Sequence, residues 1–195
     1  MAKRGLKLTA LHFWSYPYTS LEAKEKVIEL ARILHKFTGD TQLVIIPFTK
    51  VQEAIHKYAE PNYMITLVRR AMMRIAERIA EKFGCGCIIN GEDLGQVASQ
   101  TLESITVTNS VIKRLPVFRP LIGFDKSEIV ERSKAIGTYE TSIKPYEDCC
   151  TVFLPESPAT KPTLRRSELS ESKISDYEEL ISEAVDNAEI IPVTE

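Results

Sequence analysis

Four cysteines carry the most reactive side chains of the chain, and they fall in two close pairs, Cys85 with Cys87 and Cys149 with Cys150. A thiolate is a strong nucleophile and sulfur carrier where nearby cations lower its pKa, and an inert core group where apolar neighbours raise it. The spacing is neither the Cys-x-x-Cys pairing of a structural zinc site nor a secreted disulfide framework, and it matches none of the usual iron–sulfur ligand patterns. No metal site is expected. Cys85 and Cys87 stand two apart before Ile88-Ile89, so in a strand they share one face and read as packing. Cys149 and Cys150 follow the polar Lys144-Pro-Tyr-Glu-Asp148, a loop composition. A second chemical feature is Asn90-Gly-Glu-Asp-Leu-Gly95, a glycine-bearing loop after an apolar run. Such a loop is either an anion or nucleotide site, because helix N-terminal amides attract anions and glycine permits close approach, or a tight strand-to-helix turn.

The elements that must position these groups are legible as periodicities. Leu6–Phe13 alternates like a strand, and Gln42–Ile46 is a continuous apolar strand ended by Pro47. Cys85–Ile89 is the third strand. Val27, Leu30, Ala31 and Leu34 recur at helical spacing within Leu21–Phe37, behind Thr19 or Ser20 as cap and before Gly39. Val68, Met72, Ile75, Ile79 and Phe83 make the stripe of a long helix within Pro61–Phe83. Further helices are predicted from about Gln96 to Val111 and, capped by Asp125 and closed by Gly137, over Lys126–Ile136. Strands alternating with helices imply an α/β fold, a parallel sheet covered on both faces, with ligands in the loops after Phe13, Pro47 and Asn90.

The chain has 195 residues, 44% of them hydrophobic, enough to bury a core. No run of about 18 apolar residues suggests a membrane span and no secretory signal is seen, so the expected location is cytoplasmic. The formal charge of -2 divides unevenly: Ser167–Glu195 holds nine acids and one lysine, net -8, leaving +6 for the first 166 residues. A basic body suits a phosphate-bearing partner, although an ordinary solvated surface has the same balance. The expected organisation is one domain over 1–162 and an acidic tail over 163–195 carrying one amphipathic helix.

Six segments in order sharpen this picture: Leu11-His-Phe-x-Ser-x-Pro-x-Thr-Ser20, Val68-Arg-Arg70, Gly91-Glu-x-Leu-Gly-Gln-Val-Ala-Ser-Gln-Thr101, Arg119-Pro-Leu-Ile122, Asp125-Lys126 and Lys144-Pro-Tyr-Glu-Asp-Cys-Cys150. Together they resemble the adenylating domain of the tRNA 4-thiouridine synthetases, over Met1 to about Pro162. The resemblance implies an adenine nucleotide alpha hydrolase, or ATP pyrophosphatase, fold. It implies that ATP, with Mg2+, adenylates the C4 oxygen of a tRNA uridine and that a cysteine persulfide then replaces AMP by sulfur. The implied partners are tRNA and a cysteine desulfurase as sulfur donor, and sulfur can also be routed to the thiazole of thiamine.

By the same resemblance His12 and Phe13 border the adenine, Gly91 and Gln100 hold the nucleotide, and Arg69 is the basic contact, with Arg70 beside it as the alternative. For His12 a backbone-only role is the competing reading. Lys126 matches a lysine near the reacting phosphates, where its charge stabilises the transition state; a lysine in a helix first turn is otherwise simply exposed. Alignment through Thr151-Val-Phe153 puts the sulfur nucleophile on Cys150, one residue from Cys149. Adjacent cysteines bridge only with strain, so one carries the persulfide and the other resolves it. The family's Ser-Gly-Gly-x-Asp-Ser phosphate loop is absent from these residues. Activity is therefore expected only with a partner chain or segment supplying that loop and the RNA-binding domain, or with self-association; a nucleotide-binding module or sulfur carrier without turnover is the alternative.

Overall fold

The computed structural model describes residues 1–149, 152–153 and 155–194. In chain order the elements are β1 (Ala10–Trp14), α1 (Leu21–Thr38), β2 (Thr41–Pro47), α2 (Thr49–Tyr58), α3 (Met64–Lys82), β3 (Ile88–Ile89) and α4 (Leu102–Asn109). There follow β4 (Val117–Phe118), α5 (Lys126–Ala135), α6 (Tyr139–Ser142), α7 (Leu164–Glu171), α8 (Tyr177–Asp186) and β5 (Glu189–Val193). They form two compact units, one of Met1–Pro47, Phe124–Val152 and Asn187–Glu195, the other of Phe48–Gly123 and Phe153–Asp186. No helix among the described residues is long and apolar enough to cross a membrane.

The first unit is built on the sheet β1-β2-β5. β2 is its centre because Leu43, Val44, Ile45 and Ile46 are apolar on both faces and all are buried. β1 runs parallel to β2, with His12 opposite Ile45 and Phe13 opposite Ile46, and β5 runs antiparallel. α1 covers the sheet through Val27, Ile28 and Ala31, packed with Leu43, Ile45 and Val193. The Ser20 hydroxyl caps α1 by accepting from the Ala23 N–H at 3.2 Å. Asp125 and Glu128 form a reciprocal capping box on α5. Gly137, at φ 77, turns the chain back where α5 ends.

The second unit is organised around α3. Its fully buried residues include Leu67, Ala71 and Ile75, but Arg70 and Met73 are buried too, because α2, α4, α7 and α8 all pack against it. The single stripe expected from the sequence therefore understates the helix: Ile75 and Ile79 are buried, while Val68 and Met72 are only half-buried. β3 and β4 pair in parallel, two residues each, against Met73, Ala80 and Val111.

The α/β class with parallel strands is present, and four details differ from the sequence expectations. α2, β4 and the four-residue α6 are additional to the elements expected from the sequence. The third strand is Ile88–Ile89, so Cys85 and Cys87 lie half-buried in the connection before it. The Gln96–Val111 helix is a 3-10 turn, Ala98–Gln100, followed by α4, whose cap is Thr101. The acidic tail is two helices and a strand: Glu189-Ile-Ile-Pro-Val193 is a short apolar run that completes a sheet edge, where Pro192 is tolerated.

The acidic residues of the tail are not all solvated. Glu171 is buried between Arg70, which donates Nε and Nη2 to it at 2.8 and 3.0 Å, and Arg74, at 2.6 and 2.9 Å. Burial alone raises a carboxyl pKa, but hydrogen bonds from both arginines outweigh it and hold Glu171 below its usual 4.5. A depressed folded pKa gives stability that is complete above the unfolded pKa and is lost as pH falls through the folded one. Glu171→Ala should cost about 3–5 kcal/mol in urea unfolding, as for any buried pair broken on one side. Glu171→Gln should flatten the acid limb of stability against pH below 4.5.

Candidate functional site

In the first unit, His12 is the central residue of β1 and Phe13 follows it, one residue before the strand's carboxyl end, where a parallel strand presents ligands. The His12 imidazole is held below 6.5, first by burial, against which the Asp148 carboxylate acts, with the Lys26 ammonium adding to the depression. Lys26 is 7% exposed and donates to the Tyr146 carbonyl at 2.6 Å. That bond pins the segment Lys144–Cys149 to α1, so the structure brings His12, Lys26 and Asp148 into one electrostatic neighbourhood beside a buried Cys149. Lys144 is paired with Glu29, which also accepts from Thr141 at 2.8 Å. The cation buried at this segment is therefore Lys26, not Lys144. Lys126, the first residue of α5, is exposed. Cys150, the expected nucleophile, lies outside the described residues.

In the second unit, the loop after β3 is built on Glu92. Its carboxylate, 4% exposed, pairs with Arg69 from α3 and with Arg119 Nε at 2.5 Å, and accepts from Asn90 Nδ2 at 2.8 Å. Arg119 Nη2 donates in turn to Asn109 of α4 at 3.0 Å. The loop is also pinned by its backbone: Asn90 N–H donates to Phe118 and Leu94 N–H to Ile122, both at 3.1 Å. The Gly95 N–H donates to the Gln100 carbonyl at 2.9 Å, which brings Gln100 back onto the loop that begins at Gly91. Gly91 needs no positive φ, and a side chain there would meet only Leu121 Cδ1 at 3.9 Å, an ordinary contact. Neither the backbone nor the surrounding protein requires glycine at this place.

Arg69 and Arg70 separate in function. Arg70, 2% exposed, has its guanidinium taken up by Glu171, the Val107 carbonyl and Ser110, whereas Arg69 reaches the β3 loop through Glu92. The structure thus gathers Arg69, Gly91 and Gln100 in one unit and His12, Phe13, Cys149 and Lys126 in the other. Sequence reasoning overlooked Lys26, Glu92, Arg119 and Asp148 as members of these clusters. Arg119 opens one of the recurring segments and Glu92 sits inside another, a signal available in the sequence. Lys26 carries none, since a lysine on an amphipathic helix reads as solvated.

Residues 1–175 match the sequence profile of the family described as Thiamine biosynthesis protein (ThiI). The chain belongs to the ThiI family. It is 55% identical, over all of its length, to 49% of a probable tRNA sulfurtransferase of Acetivibrio thermocellus, and 55% identical over 96% of its length to 46% of that of Bacillus subtilis. A crystal structure of a 4-thiouridine synthetase–RNA complex with bound ATP superposes with a TM-score of 0.93 at 44% identity, over 98% of this chain and 50% of that one. The chain thus has the fold of that synthetase and spans about half the length of the relatives it matches.

The charges around His12 make a specific expectation. In a proton-NMR titration its imidazole should titrate below 6.5. Lys26→Met should raise that midpoint and Asp148→Asn should lower it, because the first removes a repelling cation and the second an attracting anion. Since the folded pKa is the lower one, protonation as pH falls below 6.5 works against folding.

Proposed function

We propose that this chain is the nucleotide-binding and sulfur-transfer part of a tRNA 4-thiouridine synthetase, acting with a segment that supplies the Ser-Gly-Gly-x-Asp-Ser phosphate loop. The observation that carries the reading is its likeness, over nearly its whole length, to a synthetase solved with RNA and ATP. Physical features of each unit support it. In one, the Gly91 position is open to a ligand's close approach and Gln100 returns to the same loop; in the other, the edge-strand backbone at His12–Phe13 offers the donor and acceptor an adenine edge needs. The depressed basicity of His12 keeps a neutral imidazole beside an uncharged base.

In the proposed reaction the uridine O4 attacks the α-phosphorus of Mg2+-bound ATP and pyrophosphate leaves, which converts a poor leaving group at C4 into a good one. Lys126 offsets the charge that builds on the phosphate. The terminal sulfur of a persulfide on Cys150, delivered by a cysteine desulfurase, then attacks C4, and AMP leaves. The disulfide of the resulting Cys150–S–S–C4 adduct is broken by the Cys149 thiolate, which frees 4-thiouridine and leaves a strained, and so readily reduced, Cys149–Cys150 disulfide for external reductant. A buried Lys26 beside this segment is the positive charge suited to favour thiolate there.

Two outcomes are expected. The 195-residue chain alone should release no pyrophosphate from ATP and tRNA, and the phosphate-loop segment added in trans should restore release. In that complemented enzyme Cys150→Ser should abolish thiolation while pyrophosphate release continues, and Cys149→Ser should slow turnover. Full thiolation by Cys150→Ser, or persulfide found on Cys85 or Cys87 by mass spectrometry, would sink the assignment.

A further inference from the structure

The loop after β3 holds two neighbouring buried acids in different surroundings. Glu92 is ion-paired with Arg69 and Arg119 and accepts a hydrogen bond from Asn90. Asp93, 5% exposed, has an Oδ2 that is shielded from solvent and accepts no hydrogen bond within the structure. An unmade bond to a buried polar group costs about 1–3 kcal/mol, more when the group is charged, and such a group in a native fold is explained by a ligand, an ion or a catalytic role. The two guanidiniums nearest this loop, Arg69 and Arg119, both pair with Glu92.

The chemistry of the missing partner follows from the group and its position. A carboxylate repels phosphate and accepts from N–H or O–H donors, and it is well matched to two vicinal hydroxyls. Asp93 lies two residues beyond Gly91 and two before Gly95, whose N–H holds the Gln100 carbonyl, so it is enclosed by the two positions read here as nucleotide contacts. Gly91 and Leu94 are exposed, which keeps this stretch at the surface. In open α/β sheets an acid near the carboxyl end of a strand commonly takes the ribose hydroxyls of a bound nucleotide. We infer that the Asp93 carboxylate accepts hydrogen bonds from the ribose 2′- and 3′-hydroxyls of an adenine nucleotide bound along the loop Gly91–Gln100. This rests on the nucleotide reading above, and it adds a residue that selects ribonucleotides over deoxyribonucleotides.

The test is a cycle of two proteins and three ligands: the full chain and its Asp93→Asn variant, each titrated calorimetrically with AMP, 2′-deoxyAMP and 3′-deoxyAMP. Losing a hydrogen bond to a charged acceptor weakens binding about 10- to 100-fold. Wild type should therefore favour AMP over each deoxy nucleotide by about tenfold or more. Asp93→Asn should lose most of that preference by binding AMP more weakly while binding the deoxy nucleotides as wild type does. Its melting temperature should be unchanged or higher, since the variant removes a buried charge that has no partner. Equal loss of all three ligands, or a marked fall in melting temperature, would mean that Asp93 is structural and would overturn the inference. Indifference of wild type to the hydroxyls would overturn it as well. So would a variant that keeps AMP affinity but, in the complemented enzyme, loses tRNA-dependent pyrophosphate release, because the donor would then belong to the RNA. If wild type binds no adenine nucleotide at all, the nucleotide reading itself fails, and it fails before Asp93 is altered.

Discussion

A carboxylate held between two guanidiniums governs the second unit. Glu92 is buried, and a buried charge is tolerated only when its lone pairs are met by well-aligned donors. Arg69 and Arg119 pair with it, and Asn90 donates a hydrogen bond to it. Burial disfavours the charge of Arg119, a cost that pairing with the Glu92 carboxylate offsets. Because Arg69 belongs to α3, Asn90 and Glu92 to the β3 loop, and Arg119 to the segment after β4 and also to Asn109 of α4, one ion cluster joins four segments. The loop backbone is left with little freedom, which suits a surface that must receive a ligand with fixed geometry.

The same physics operates in the first unit with the opposite sign. Lys26 is buried, and its ammonium donates a hydrogen bond to the main-chain carbonyl of Tyr146. A lysine desolvated in this way tethers the segment that ends in the paired cysteines, and its field reaches His12. The exposed Lys144 nearby is neutralised by Glu29, in a medium where such pairs contribute little. Position in the fold, not charge count, decides which of the two lysines acts on its surroundings.

The C-terminal residues make the point from composition. Nine acids in 29 residues read as an acidic tail carrying a single amphipathic helix. In the folded chain Glu171 is the partner of two arginines of α3, Ile181 and Val185 are buried, and Ile191 and Val193 pack into the sheet of the first unit. The acids of one face coexist with apolar residues of the other, and net charge averages over both.

What the sequence by itself determined was periodic or local. The α1, α3 and α5 helices, their caps at Ser20 and Asp125, and the apolar β2 strand were readable because 3.6-residue and continuous apolar patterns, and capping chemistry, act between near neighbours in the chain. The ordered segments around His12, Gly91 and Cys150 likewise pointed to the family before any contact was known. Only the tertiary structure decided that Arg69 and not Arg70 serves the β3 loop, since adjacent helix positions differ in direction by about 100° and the sequence does not say where Glu92 and Glu171 lie. It decided as well that a two-residue strand at Val117 pairs with Ile88, that Glu189–Val193 is a sheet edge, and that of two adjacent acids Glu92 is the one paired with Arg69 and Arg119. Each of these depends on groups distant in sequence arriving at hydrogen-bond range, and neither composition nor periodicity encodes distance.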